Sequence, residues 1–218
     1  MSARLNWSLR RVQDAHRSKR PQLPEAMTRR ITSAIPNHPS EIACIDFVNT
    51  AYADPLNPGV ELDRLSRREW WAWFLERYGL HVSARQVVPL RRLTTLRREM
   101  RAMLERWSTS GSLSARDLAR LNRRLGKSRL RRRVRRRPAL ELTIEPVTPD
   151  WDWIVGAIAT SAVELMAADH GRLKVCANPT CSWMFYDQTL NSSKQFCSTD
   201  MCGNIVRVRR FRSRADAK

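Results

Sequence analysis

Four of the five cysteines fall into two pairs, Cys176 with Cys181 and Cys197 with Cys202, with four residues inside each pair and 15 between the pairs. Thiolates bind borderline-soft metal ions, and two close pairs joined by one loop supply the four ligands of a tetrahedral zinc site. Sulfur in all four positions leaves no place for a reactive water, so the spacing predicts one structural Zn2+ rather than a hydrolytic ion. A redox dithiol is the competing chemistry, but two residues rather than four usually separate such cysteines. The odd cysteine count speaks against a disulfide framework. Cys44, between Ala43 and Ile45 in an apolar run, reads as an ordinary buried thiol.

The residues after the last cysteine are a second signal. A helix over about 200–214 places Ile205, Val208 and Phe211 along one side and Arg207, Arg210 and Arg214 along another, with Arg209 and Arg212 adding to the charge. A metal site at its origin would set the angle of such a helix. Its apolar side would dock and its guanidinium groups would face phosphates or guanine edges. Elsewhere, Asp46, Asn49 and Thr50 close an apolar run as the lining of an effector pocket would; a helix or turn cap is the plainer reading. His16, His38, His81 and His170 stand in no catalytic spacing, and carboxylates are too scattered for a metal hydrolase, so no enzyme is predicted.

The 218 residues carry 40 Lys and Arg against 21 Asp and Glu, a formal charge of +19, while 42% are hydrophobic. A chain that basic and still that apolar is neither a simple disordered tail nor an ordinary acidic metabolic enzyme, and it favours a polyanionic partner. The charge is uneven: residues 111–140 hold 12 basic and 1 acidic side chains, residues 141–171 hold 0 and 6, and residues 172–218 hold 9 and 3. No apolar stretch is long enough for a membrane span, and no apolar run follows the basic start as in a secretory signal, which predicts a cytoplasmic protein.

The elements that must position these groups are mostly helical. Residues 1–40, basic and interrupted by Pro21, Pro24, Pro36 and Pro39, read as a loose arm. A helical domain is expected over 41–171 and a finger with its basic helix over 172–218. Within the helical domain, Ile42–Val48 looks buried and a Pro/Gly/Asn loop runs to Gly59. Ser66 with Glu69 reads as a capping box ahead of Trp70, Trp71, Trp73, Phe74 and Tyr78. Leu93, Leu96, Met100, Met103 and Trp107 form a stripe behind Pro89, and Ser114 with Asp117 opens a helix holding Leu118, Leu121 and Leu125 inside. The alternation of Leu140–Glu145 predicts a strand that pairs with the preceding arginine run across a turn at Pro138. In that register Val134 faces Leu142, Arg135 faces Glu141 and Arg131 faces Glu145. Such a run is either a solvated hairpin neutralised across its strands or an added nucleic-acid contact. A long helix from about Pro149, free of Lys and Arg and closed by Gly171, would be central. The fold class is therefore mainly α with a small β-hairpin, followed by a four-cysteine finger with a basic helix.

Asp187, Thr189, Asn191, Lys194, Cys197, Ser198 and the tripeptide Cys202-Gly203-Asn204 resemble the CGNR zinc-finger motif. Ala43 to Thr50 resembles the opening of the ABATE domain that precedes this finger in bacterial proteins. The resemblance spans roughly residues 41–214. It implies a transcription regulator with a sensing or regulatory N-terminal domain and a DNA-binding finger, hands over no catalytic residue, and adds Lys194 and Asn204 to the candidate contacts. The chain departs from the motif at Ile205, where arginine usually follows Cys-Gly-Asn, and at Gln195 and Phe196, where arginine and tryptophan usually precede the third cysteine. Arg207, Arg209 and Arg210 would compensate. The implied partners are double-stranded DNA, a second copy of the chain reading a symmetric site, and a small-molecule effector. An RNA- or ribosome-associated basic zinc protein is the alternative.

Overall fold

Apolar side chains at helical spacing build most of the structure, a computed structural model that describes residues 40–53, 61–83, 86–168 and 170–215. The arm expected over 1–40, apart from Ser40, and residues 54–60 of the expected loop lie outside the described residues, while the start of that loop, Ala51–Ala53, is a strand. Helix α1, Ala43–Val48, is buried on every side. Strands β1, Ala51–Ala53, and β2, Glu61–Asp63, pair antiparallel behind it. Helix α2, Arg68–Arg77, buries Trp70, Trp71 and Phe74. Trp70 stacks on Phe74 at 4.7 Å between ring centres, and Trp71 meets Trp151 edge-on at 4.9 Å. The capping box does not form: Arg67 holds the cap position and no side chain caps the helix, because the turn begins one residue after Ser66.

Helix α3, Leu90–Ser110, turns Leu93, Leu96, Met100, Met103 and Leu104 into the core, and Gly111 ends it in the left-handed region at φ 63°. Helix α4, Ala115–Leu125, starts where expected, with the Ser114 hydroxyl accepting from the Asp117 N–H. Its inner face is narrower than the leucine spacing suggested: Leu121 is buried and Leu118 faces solvent. Helix α5, Trp151–Ala167, is central and is capped by the Asp150 carboxylate accepting from Trp153 N–H at 2.9 Å. It ends before Gly171, which lies in a short 3-10 turn, His170–Arg172. No helix among the described residues is long and apolar enough to cross a membrane.

Between α4 and α5 the arginine run forms β3, Leu130–Arg137, paired with β4, Ala139–Pro146. The register is the expected one, with Val134 opposite Leu142, Arg135 opposite Glu141 and Arg131 opposite Glu145. The neutralisation follows the expectation for Arg131 with Glu145 and departs from it for Arg135. Arg135 bonds diagonally to Glu145 at 2.6 Å, and Arg131 and Arg133 approach the same carboxylate at 3.8 Å. Glu141 has no ion pair among the described residues.

The C-terminal unit comprises β5, Leu173–Val175, antiparallel to β6, Met184–Tyr186, then a wide turn, Thr199–Gly203, that runs into helix α6, Asn204–Ala215. Its hairpin is not a separate appendage. Leu173 and Met184 belong to the same apolar cluster as α1, α3 and α5, and a second small cluster gathers Cys176, Phe185 and Cys202.

Candidate metal centre

The Cys176–Cys181 turn and the loop reaching Cys197 and Cys202 converge, so that all four sulfurs lie within 4.8 Å of one another. A tetrahedral ion with Zn–S bonds of about 2.3 Å separates its sulfurs by roughly 3.8 Å. Cys197 Sγ is 3.6 Å from Cys202 Sγ and 3.9 Å from Cys181 Sγ, too far for disulfides and close to that spacing. Hydrogen bonds from Cys181 and Cys197 hold the Cys176 thiol below its usual range, while Cys181 and Cys197, as donors to Cys176, are raised. Metal binding by cysteines takes the thiolate form and releases the thiol protons. The donor set, its spacing and its partial burial fit a zinc-binding site. Cys44 stands apart, fully buried in α1, its thiol pushed up to about 12 by desolvation.

The surroundings orient the sulfurs. The Cys197 N–H points at Cys176 Sγ at 3.5 Å, and the buried Asn178 Nδ2 donates to Cys202 Sγ at 3.6 Å. Amide donors of this kind fix ligand positions and soften thiolate charge. Asn178 Oδ1 in turn accepts from Thr180 Oγ1 at 3.1 Å and from Arg209 Nη1 at 3.5 Å, so the knuckle between the first two cysteines grips α6. A second brace is Asp187, excluded from solvent, whose carboxylate receives Lys174 Nζ, Thr189 N–H and Oγ1–H, and Lys194 N–H at 2.6–2.9 Å. Burial alone would raise this carboxyl; Lys174 and Thr189 outweigh it and hold it well below the usual range. The loop 187–194 is thereby tied to β5 before it delivers Cys197.

The hairpin is fastened to the helices by backbone and side chain alike. Asn49 donates Nδ2–H to Met184 C=O at 2.8 Å and accepts Met184 N–H at 2.9 Å, completing β6 as a neighbouring strand would. Arg101 donates to Ser182 C=O, and Ala53 N–H bonds Ser182 Oγ at 3.1 Å. Tyr52 meets Trp183 edge-on at 5.5 Å, with the buried Arg64 guanidinium 4.0 Å over the Tyr52 ring.

Residues 41–169 match the profile of the ABATE family, described as "Putative stress-induced transcription regulator", and residues 172–215 match that of the CGNR zinc finger. The chain belongs to the ABATE family. No curated protein matches it. Neither profile describes an enzyme: one names a regulator and the other a zinc finger.

The ABATE and CGNR segments abut in sequence and share one core. In the finger, Asn204 is exposed at the start of α6, and Arg207, Arg210, Arg212 and Arg214 extend from it without side-chain partners among the described residues. Arg209 is turned inward on Asn178 and Thr180. Lys194 is half-buried, its ammonium 5.4 Å over the Phe185 ring. The apolar side of α6 is not the one the helical wheel indicated: Val206 is the buried residue, and Val208 and Phe211 are exposed. Phe196, where the CGNR pattern usually has tryptophan, packs in the small cluster around Cys176, Phe185 and Cys202.

Asp46, Asn49 and Thr50 are all buried and occupied by the protein itself. Asp46 accepts from Ser40 N–H at 2.8 Å and Tyr78 O–H at 2.6 Å, and burial raises its carboxyl. Thr50 donates to Phe47 C=O and accepts from Arg97 Nη1, while Arg97 also grips Asp63 with two bonds of 2.6 and 2.7 Å. None of the three lines the surface depression of about 690 Å³ bordered by Ala102, Glu105, Arg106, Thr109 and Leu113. Sequence reasoning did not single out Asn178, Asp187 and Arg97 as positioning residues. Asp187 belongs to the CGNR motif, but a partner set spread from Lys174 to Lys194 leaves no periodic mark in a sequence.

Proposed function

We propose that this protein is a cytoplasmic, non-catalytic transcription regulator that holds one structural Zn2+ on Cys176, Cys181, Cys197 and Cys202 and binds double-stranded DNA through α6. The observation that supports this reading best is the course of α6. It leaves the cysteine cluster within two residues of Cys202, buries only Val206, and carries Arg207, Arg210, Arg212 and Arg214 outward. Zinc sets the direction of that helix through Cys202 and the Asn178–Arg209 contact. The free guanidinium groups take phosphates, and Asn204 and Lys194 approach the duplex from the helix start and the preceding loop. Dimerisation of the helical domain would place two such helices on half-sites, and an effector bound to that domain would set their spacing.

The test is retention of random duplex DNA by zinc-loaded protein at about physiological salt with excess competitor RNA. An enriched motif supports the reading. No enrichment, with binding lost to the RNA, overturns it in favour of an RNA-binding protein. Arg207→Glu with Arg210→Glu is expected to flatten the log–log salt dependence by roughly 1.8, about 0.9 for each phosphate that is no longer neutralised.

A further inference from the structure

Strand β3 holds six arginines in eight residues, and over residues 127–146 eight basic side chains meet two acidic ones. Three of those arginines, Arg131, Arg133 and Arg135, share the single carboxylate of Glu145. Arg132 and Arg136 have no carboxylate partner among the described residues. The register puts these two on the same face as Val134, Leu140 and Leu142, which are 63%, 78% and 65% exposed. A monomer gains nothing by exposing a cationic, leucine-bearing ribbon; a partner must suit both features.

We propose that the ribbon β3–β4 is a second duplex-binding element, laid along a groove of the DNA with its arginines on phosphates; this rests on the DNA-binding reading above. Charge selects the occupant. A second copy of the ribbon would set one arginine row against another, whereas a duplex offers about one negative charge per 1.7 Å of axis. Shape agrees: eight residues per strand span about 27 Å, and the major groove, about 12 Å wide, admits a two-stranded ribbon. Leu140, Leu142 and Val134 suit thymine methyl groups there. The root of the ribbon is fixed, with Val147 N–H bonded to Arg129 C=O at 2.9 Å and Ser128 seated against Gly156 of α5, where a Cβ would lie 2.4 Å from the serine Cβ. The exposed end turns through Pro138, which has no N–H to leave unpaired.

The test uses the full-length zinc-loaded protein and a labelled mixed-sequence duplex, with affinity followed by anisotropy over a range of salt. Arg132→Gln with Arg136→Gln is expected to reduce the salt slope by about 1.8, while Arg116→Gln with Arg123→Gln, equal charge removed from exposed positions of α4, leaves it unchanged. Glu145→Gln frees three arginines and is expected to steepen the slope by up to about 2.7, a gain that loss of folding does not mimic when the melting temperature is held. An unchanged slope for the ribbon pair, or an equal fall for the α4 pair, overturns the proposal. If the wild-type protein binds, and Arg207→Gln with Arg210→Gln flattens the slope while the ribbon pair does not, only the ribbon proposal fails. Absence of duplex binding by the wild type, or its replacement by RNA, removes both.

Discussion

Asn49→Ala tests whether the finger and the helical domain are one cooperative unit. The substitution removes both hydrogen bonds to Met184, 2.8 and 2.9 Å, and leaves the N–H and C=O of a fully buried strand residue unpaired. Each orphaned buried group costs about 1–3 kcal/mol, so the pair costs about 3 kcal/mol at the lower middle of that range. For a chain of this size each kcal/mol moves the melting temperature by about 2–4 °C, which predicts a fall of about 6–12 °C. Scanning calorimetry of the zinc-loaded protein is the assay, with Trp183 in the finger and Trp70 in the helical core as probes of a single transition. Asn49→Asp keeps the acceptor for Met184 N–H but sets a carboxylate oxygen against Met184 C=O, and it should be no more stable than the alanine variant. A shift under about 2 °C, or two well-separated transitions in the wild type, refutes the shared-core reasoning.

Zinc removal by a strong chelator should lower the melting temperature of the helical core as well as that of the finger, and mass spectrometry under native conditions should count one zinc per chain; Cys202→Ser should abolish the stoichiometric ion. Asp187 has a depressed folded pKa, so its contribution is present above the unfolded carboxyl value of about 3.9 and fades as pH falls below it. The stability difference between wild type and Asp187→Asn, measured by denaturant titration, should therefore be constant from pH 7 to about 5 and shrink toward pH 3. Gly156→Ala should destabilise by about 1–3 kcal/mol despite the better helix propensity of alanine, because the new Cβ meets Ser128; Ser128→Gly should restore most of the loss.

The cysteine cluster, the arginine ribbon and the central helix were legible in the sequence because each is a local pattern. Paired cysteines, strict alternation around Leu142 and a long apolar run free of Lys and Arg keep their meaning wherever the segment lies. The register of Val134 with Leu142 followed from that alternation and from Pro138 at the turn. Among the local inferences that failed, two show neighbours outweighing pattern. Ser66 and Glu69 have capping spacing, yet the chain enters α2 one residue later. Val208 and Phe211 have docking spacing, yet α6 finds a surface only for Val206.

By itself, then, the sequence determined which side chains can hold a metal, where positive charge accumulates and which of the longer segments are helices. Only the tertiary structure decided who shares a core with whom. Asn49 looks like a polar end to an apolar run, and its pairing with Met184, 135 residues away, turns two family segments into one body. Likewise the balance of the ribbon depends on where guanidinium groups swing: opposite strands offered two carboxylates, and three arginines took one of them. Side-chain reach and long-range burial are properties of the packed chain. No local spacing encodes them.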